Sequence, residues 1–254
     1  MTTPLLIPIY IIIFLFGTVI GSFINVVIYR LPKHEDIVVT RSHCMECGYQ
    51  LAWYDLIPIV SYLSLRGKCR KCGAKLSVQY PLIEGTNGVL YVLIAVINGL
   101  NVDSLLYCLL ISALIALSVI DWRTYEIPIG INIFILALGL IATVYHYTDW
   151  LNHVIGFLAV SVFIYIIILA TKGRGMGGGD MKLMAAAGLL LGWKEIILAF
   201  ILGCILGSII HVARMRISKA EHTLAFGPYL SLGILITVLC GQQILNWYLG
   251  LLGL

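Results

Sequence analysis

The sequence Lys172-Gly-Arg-Gly-Met-Gly-Gly-Gly-Asp180-Met-Lys182 lies between long apolar runs and combines five glycines with one carboxylate. Glycine interrupts helices and lets another backbone approach closely, because it has no Cβ. Non-helical backbone at membrane depth is tolerated only where protein buries it or where it lines a wet cavity, and an acid there is a candidate functional group. The alternative is a flexible loop whose last acid helps to cap the next helix, since Asp is favoured at helix N-termini.

The composition is that of a membrane protein. Hydrophobic residues make up 61% of the chain and charged residues 11%, and the mean hydropathy is +1.02, whereas a soluble domain is roughly 25% charged. Apolar runs long enough to cross a bilayer recur along most of the length. The first run has no basic segment before it and no small-residue cleavage site, so we expect a retained span and not a signal peptide.

The basic residues predict the topology. The net charge of +4 does not indicate nucleic-acid binding, because eight of the sixteen Lys and Arg residues lie between Arg30 and Lys75 and basic loops stay in the cytoplasm. With that segment inside, alternating spans bring Asp121, the glycine-rich stretch and the basic segment 214–219 to the cytoplasmic boundary. Lys194 is then the only basic residue outside. We predict an all-α polytopic membrane protein with about eight transmembrane helices.

The predicted spans cover residues 5–28, 81–100, 104–120, 127–147, 150–171, 183–193, 196–212 and 228–251. The run 183–193 is too short alone for a hydrocarbon core of about 30 Å, so it begins within the glycines, tilts, or is re-entrant. Three parts follow: a first transmembrane helix in 1–32, a cytoplasmic module in 33–80 and a transmembrane core in 81–254.

The cytoplasmic module contains a duplicated cysteine motif. The units Cys44-Met-Glu-Cys47-Gly-Tyr-Gln-Leu and Cys69-Arg-Lys-Cys72-Gly-Ala-Lys-Leu share the pattern C-x-x-C-G-x-x-L, with 21 residues between the pairs. Four thiolates at this spacing suit a closed tetrahedral zinc site with a structural role. Iron has the same ligand set and stays an alternative, whereas disulfides do not fit a reducing compartment.

Two aspartates that are distant in sequence fall at the same predicted membrane boundary. Asp121 opens the sequence Asp121-Trp-Arg-Thr-Tyr-Glu-Ile-Pro128 at the end of the third span, and Asp180 follows the glycines. Two carboxylates that approach each other share a proton, so that one accepts a proton from water while the other donates to a carbonyl oxygen. An interfacial helix end, with Asp121 paired to Arg123, is the alternative interpretation of the first acid.

These motifs resemble those of the type IV prepilin peptidases, which are bacterial inner-membrane aspartic proteases of the GxGD type. The similarity covers nearly the whole chain and includes the paired cysteines, Asp121 with Ile127-Pro128, and Gly177-Gly-Gly-Asp180. The first span matches through Gly21-Ser-Phe with Asn25-Val and Tyr29-Arg-Leu-Pro32, and the late Phe226-Gly-Pro also fits. Met45 departs from the proline that members often carry after the first cysteine, at a position that is not a ligand.

The resemblance implies a function as well as a fold. It implies that Asp121 and Asp180 are catalytic and that the enzyme removes the leader of prepilins and pseudopilins on the cytoplasmic side of the inner membrane. It also implies N-methylation of the new N-terminal residue with S-adenosylmethionine, and structural Zn²⁺ on Cys44, Cys47, Cys69 and Cys72. No sequence signature places the methyl-donor site or the oligomeric state. Glu84 is an acid near the same boundary, which we interpret as a membrane-boundary anchor, with a contact to the substrate or the methyl donor as the alternative.

Two rival interpretations belong to other classes of protein. Secondary transporters also have broken helices and intramembrane acids, but their acids lie near the bilayer midplane and their interruptions often occur in both halves, whereas the glycine break occurs once here. A metal-responsive sensor built on the cysteines would tolerate Asp121→Asn, which a hydrolase would not.

Overall fold

The computed structural model describes residues 3–173, 175–218 and 224–251, and of residues 3–5, 214 and 216–218 it describes the backbone alone. Arg174 and Lys219, and the side chains of Arg214 and Arg216, lie outside the described part. The helices of the described ranges are α1 (Thr3–Arg30), α2 (Val60–Ser64), α3 (Gln79–Asn98), α4 (Val102–Thr124), α5 (Ile129–Tyr145), α6 (Trp150–Ala170), α7 (Gly178–Leu191), α8 (Trp193–Ser218) and α9 (Gly227–Leu251).

Six of these helices are long and apolar enough to cross a membrane, judged by length and composition: α1, α3, α4, α6, α8 and α9. Two apolar helices are shorter, α5 with 17 residues and α7 with 14. The helical class is therefore confirmed, while the count of eight spans stays a prediction. Most of the run 183–193 lies in α7, which begins within the glycines at Gly178. A start within the glycines is one of the three explanations given above for the shortness of this run.

By packing, the described chain forms two compact units, Met1–Ser104 and Leu105–Leu254. The three-part division at residues 32 and 80 is a different one and stays a prediction.

In the first unit, α1 packs closely against α3. A Cβ on Gly21 would lie 2.7 Å from the Cα of Glu84, and one on Gly17 would lie 2.8 Å from the Cα of Gly88. The Asn87 amide donates a hydrogen bond of 2.7 Å to the Gly17 carbonyl across the same contact. Small residues and side-chain amides are how helices associate in lipid, where burying apolar surface gives no driving force.

In the second unit, α7 is the most enclosed helix. Every residue from Leu183 to Leu191 is buried. Gly156 of α6 and Gly188 of α7 meet backbone to backbone, because a Cβ on either would clash with the carbonyl oxygen of the other. His153 of α6 lies 2.9 Å through Nδ1 from the Leu189 carbonyl oxygen, while α6 turns large apolar side chains such as Phe163 outward. These contacts fix the last turns of α7 against α6.

Candidate active site and metal centre

Asp121 lies in the last turn of α4, where the apolar run ends. Its side chain is buried, and its Oδ2 accepts a hydrogen bond of 2.9 Å from the backbone N–H of Gly227, the first residue of α9. The contact is close, because a Cβ on Gly227 would lie 2.7 Å from the same oxygen. The start of α9 therefore holds the Asp121 carboxylate in place.

Asp180 lies in the first turn of α7, with Gly177 as the N-cap residue. Its buried carboxylate accepts a hydrogen bond of 3.3 Å from the Gly177 N–H. A helix N-terminus leaves backbone N–H groups without partners and favours negative charge. The capping interpretation of this acid is thus correct as a description of its local contact. It does not exclude a second role.

The glycines before Asp180 differ in their surroundings. A Cβ on Gly178 would have no neighbour within 4 Å, whereas one on Gly179 would lie 3.0 Å from Cβ of Ile127. Gly179 therefore allows the α4–α5 loop to approach the first turn of α7. Gly178 leaves open space beside Asp180.

The two aspartates come together within the second unit. Asp180 is within electrostatic range of Asp121, the loop after α4 touches Gly179, and α9 begins on Asp121. Two carboxylates that approach each other disfavour the state in which both are ionised. Glu126 and Lys182, their neighbours in sequence, are exposed. The arrangement can activate water for attack on a carbonyl carbon.

The cysteine module, residues 41–76 of the first unit, consists of two similar turns. The Cys44 N–H donates to the Tyr49 carbonyl at 2.9 Å, and the Cys69 N–H donates to the Ala74 carbonyl at 2.8 Å. Gly48 and Gly73 follow the second cysteine of each pair with φ of 67° and 71°, and the N–H of each donates back to the first cysteine of its pair. A left-handed conformation of this kind favours glycine, which is why the duplicated sequence repeats it.

The four sulfur atoms fit a tetrahedral metal ion. They lie within 4.8 Å of one another, and the Cys44 and Cys72 sulfurs are 3.9 Å apart. Zinc–sulfur bonds of about 2.3 Å place tetrahedral sulfurs roughly 3.8 Å apart, whereas a disulfide bond is about 2.0 Å long. The backbone N–H groups of Cys72 and Lys71 lower the pKa of the Cys69 thiol to about 7, which favours the thiolate that a metal requires.

Asp55 joins the two turns of the module, a role that the sequence did not indicate. Its side chain is 2% exposed and forms a 2.8 Å ion pair with the Arg70 Nε. The hydroxyl of Tyr49, beside the first cysteine pair, donates to the other carboxylate oxygen at 3.4 Å. In sequence Asp55 is one acid in a polar segment, and no local signal separates it from a solvated residue.

Glu84 of α3 is buried in the first unit and accepts a hydrogen bond of 2.7 Å from the Ile59 N–H. Ile59 has φ of 60° and ψ of −50°, an unusual conformation for a β-branched residue. The carboxylate therefore secures a strained residue of the cysteine-bearing segment at the start of α3. Glu84 is an anchor for this protein segment, where the sequence had suggested an anchor at the membrane boundary.

Comparisons with known proteins identify the family. Residues 15–97 match the bacterial peptidase A24 N-terminal domain, and residues 108–212 match the type IV leader peptidase family. A protein of Pseudomonas putida named prepilin leader peptidase/N-methyltransferase is 33% identical in an alignment that covers 93% of this chain and 92% of the relative. The chain belongs to the type IV leader peptidase family.

Other members of the type IV leader peptidase family are similarly related. Proteins of the same name from Pseudomonas aeruginosa and Bacillus subtilis are each 33% identical, over 94% of this chain and over 93% and 97% of their own lengths. No solved structure matches the chain. The family resemblance is thereby confirmed. The four cysteines fall within the first matched region and both aspartates within the second.

Proposed function

We propose that this protein is a membrane-embedded aspartic endopeptidase that removes the leader of type IV prepilins and pseudopilins. The observation that carries the proposal is the pair Asp121 and Asp180, two enclosed carboxylates brought together from α4 and α7. The names of the family's relatives give the class of substrate. The excess of basic residues in the segment 30–75 supports cleavage on the cytoplasmic side of the inner membrane.

The two carboxylates divide the chemistry between them. The ionised member takes a proton from water, whose oxygen attacks the carbonyl carbon of the peptide bond, while the protonated member donates to the carbonyl oxygen. The tetrahedral intermediate collapses as its hydroxyl proton returns to a carboxylate and the nitrogen receives a proton. The C–N bond then breaks, leaving the leader with a new carboxylate and the pilin with a free amine. The Gly227 and Gly177 N–H groups orient the carboxylates throughout.

Zinc and S-adenosylmethionine complete the proposed chemistry. Cys44, Cys47, Cys69 and Cys72 hold the zinc, which stabilises a module too small for a core of its own and leaves no open position for catalysis. S-adenosylmethionine supplies the methyl group for the amine that cleavage exposes, in line with the second half of the relatives' name.

The test is a cleavage assay in liposomes with a prepilin-like peptide and a labelled methyl donor. We expect Asp121→Asn and Asp180→Asn to lose about 10²- to 10⁴-fold in kcat, the usual range for an acid or base. Zinc content and thermal stability should stay unchanged. Asp149→Asn, an exposed acid, is the matched control.

Each outcome assigns a role. Methylation of an already trimmed peptide by the two aspartate variants would show that the methyl-transfer site is separate. Near-normal cleavage by either variant would remove that aspartate from the mechanism. If Asp121→Asn had no effect while the bound metal changed the activity of a partner protein, the result would favour the metal-responsive sensor.

A further inference from the structure

In the described part of the chain, few buried side-chain nitrogen and oxygen atoms lack a hydrogen-bond partner, and all of them lie in the second unit. They belong to Asn132, His211, Tyr229 and Ser231. Asn132 differs from the others because both atoms of its carboxamide are unpaired. A buried polar group without a partner costs roughly 1–3 kcal/mol, and such groups in a native protein require an explanation.

The position of Asn132 follows from the packing of α5 on α7. Gly139 of α5 packs against Leu189 and the Ala186 carbonyl oxygen of α7. Asn132 precedes Gly139 by seven residues, two helical turns, and therefore lies on the same face of α5.

The two helices run in the same direction, because Ile127, just before α5, meets Gly179 at the start of α7. Seven residues before Ala186 and Leu189 are Gly179 and Lys182. Asn132 thus lies at the level of Asp180.

The chemistry of Asn132 matches an extended peptide. An asparagine carboxamide offers an N–H donor and a carbonyl acceptor side by side, as a peptide bond does. A substrate that lies extended at the diad has backbone N–H and C=O groups that must find partners away from water. A sheet edge is the usual partner for an extended peptide, but the described residues of the second unit contain no β-strand.

Asn132 is about as enclosed as the two aspartates. Asn132 is 5% exposed, Asp121 is 4% exposed and Asp180 is 7% exposed. Any opening that admits a peptide bond to the two carboxylates therefore has to uncover a region that is as enclosed as Asn132. The burial of Asn132 therefore limits substrate contact no more than the burial of the two aspartates does.

We propose that Asn132 binds the backbone of the prepilin segment beside the scissile bond, with its carboxamide pairing one N–H and one C=O of the substrate. This rests on the proposed function, since the substrate is the one that the diad cleaves. Asn132 determines how the extended segment is aligned with Asp180, and its unpaired state without substrate is the cost of keeping that site ready.

The first test replaces Asn132 by leucine, which has a similar size and no polar atoms. We expect kcat/KM for cleavage to fall about 10- to 100-fold, the loss of one or two hydrogen bonds. The thermal midpoint should stay the same or rise, because the unpaired carboxamide is gone. Thr143→Val is the matched control on α5: its hydroxyl already bonds the Gly139 carbonyl at 2.8 Å, and cleavage should change less than about twofold.

The second test changes the substrate and does not depend on the folding of a variant. Esters replace single backbone amides on either side of the scissile bond, which removes one N–H at a time. At one position we expect the wild type to lose about tenfold and Asn132→Leu to lose nothing further.

Additive losses at every ester position, or full cleavage by Asn132→Leu, would overturn the proposal for Asn132. If Asp121→Asn and Asp180→Asn are inactive in the same experiments, the proposed peptidase function still stands. Active aspartate variants would instead remove the proposed function itself. A lowered midpoint with unchanged kcat/KM would assign Asn132 a structural role.

Discussion

Replacing Gly227 by alanine adds one methyl group where α9 begins beside Asp121. The new Cβ would lie 2.7 Å from Oδ2 of Asp121 and 3.0 Å from Cδ2 of Leu117, whereas ordinary contacts begin at 3.4 Å. The leucine can rotate away. The carboxylate is the partner of the Gly227 N–H, so it must move by about 0.7 Å, the difference between 3.4 and 2.7 Å.

This displacement is large on the scale of catalysis. A misplacement of about 1 Å at a reacting group can cost roughly 10²-fold in rate, and a lengthened hydrogen bond to a charged group loses part of its 1.5–3 kcal/mol or so. We therefore expect Gly227→Ala to lower kcat about 30- to 100-fold. KM should change much less, because the methyl group faces the carboxylate.

The assay is steady-state cleavage of a prepilin-like peptide, with thermal unfolding measured on the same samples. Gly250→Ala is the control in the same helix, since a Cβ there meets nothing within 4 Å and alanine only improves helix propensity, by about 1 kcal/mol. If Gly227→Ala cleaved at the wild-type rate, the hydrogen bond from α9 would not be what positions Asp121.

Three further predictions use the same logic. Gly178→Ala adds a Cβ in open space and should leave the thermal midpoint unchanged or raised. If substrate backbone passes beside Gly178, the substitution should reduce kcat/KM about tenfold. Unchanged cleavage would show that substrate does not need this space, and of the two glycines only Gly179, which packs against Ile127, would then have an explained role. Asp55→Asn removes the charge paired with Arg70 and should weaken metal binding by the four cysteines about 10- to 100-fold, the contribution of a hydrogen bond between charged groups. Competition with a chromogenic chelator measures this. Stripping the metal should unfold the cysteine module and expose it to protease while far-UV helicity is largely kept; a protease-resistant module would show that it folds without metal.

The sequence predicted the parts of both sites that carry repeated or unusual local patterns. Cys44 and Cys69 open two copies of one motif, and the glycine after each pair has a left-handed φ. Asp180 is a candidate in the sequence because it follows three glycines between apolar runs, while helix capping explains the same acid as well. In these cases neighbours along the chain determine the local geometry.

The contacts that the sequence did not reveal join residues far apart in the chain. Gly227 donates to Asp121 across 106 positions, and Glu84 holds Ile59 across 25. Asn132 looks like an incidental amide in an apolar helix until the packing of α5 on α7 defines its depth. The number of spans is limited in another way. The helix α7 begins within the glycines at Gly178 and has only 14 residues, and hydropathy alone does not say whether so short a helix crosses the membrane.

The shortness of α7 also restricts the shape that a substrate can have. From Asp180 to its last residue, Leu191, the helix covers about 16 Å at 1.5 Å per residue, in a hydrocarbon layer of about 30 Å. If the last turn of α7 is level with one edge of that layer, Asp180 lies about 14 Å inside the other edge, which is deeper than the boundary position predicted from the spans. A chain reaching that depth as a helix needs about nine residues, whereas an extended chain at roughly 3.3 Å per residue needs about four. Cleavage then favours prepilins whose junction unwinds easily, so that helix-breaking residues beside the scissile bond speed processing without touching the enzyme.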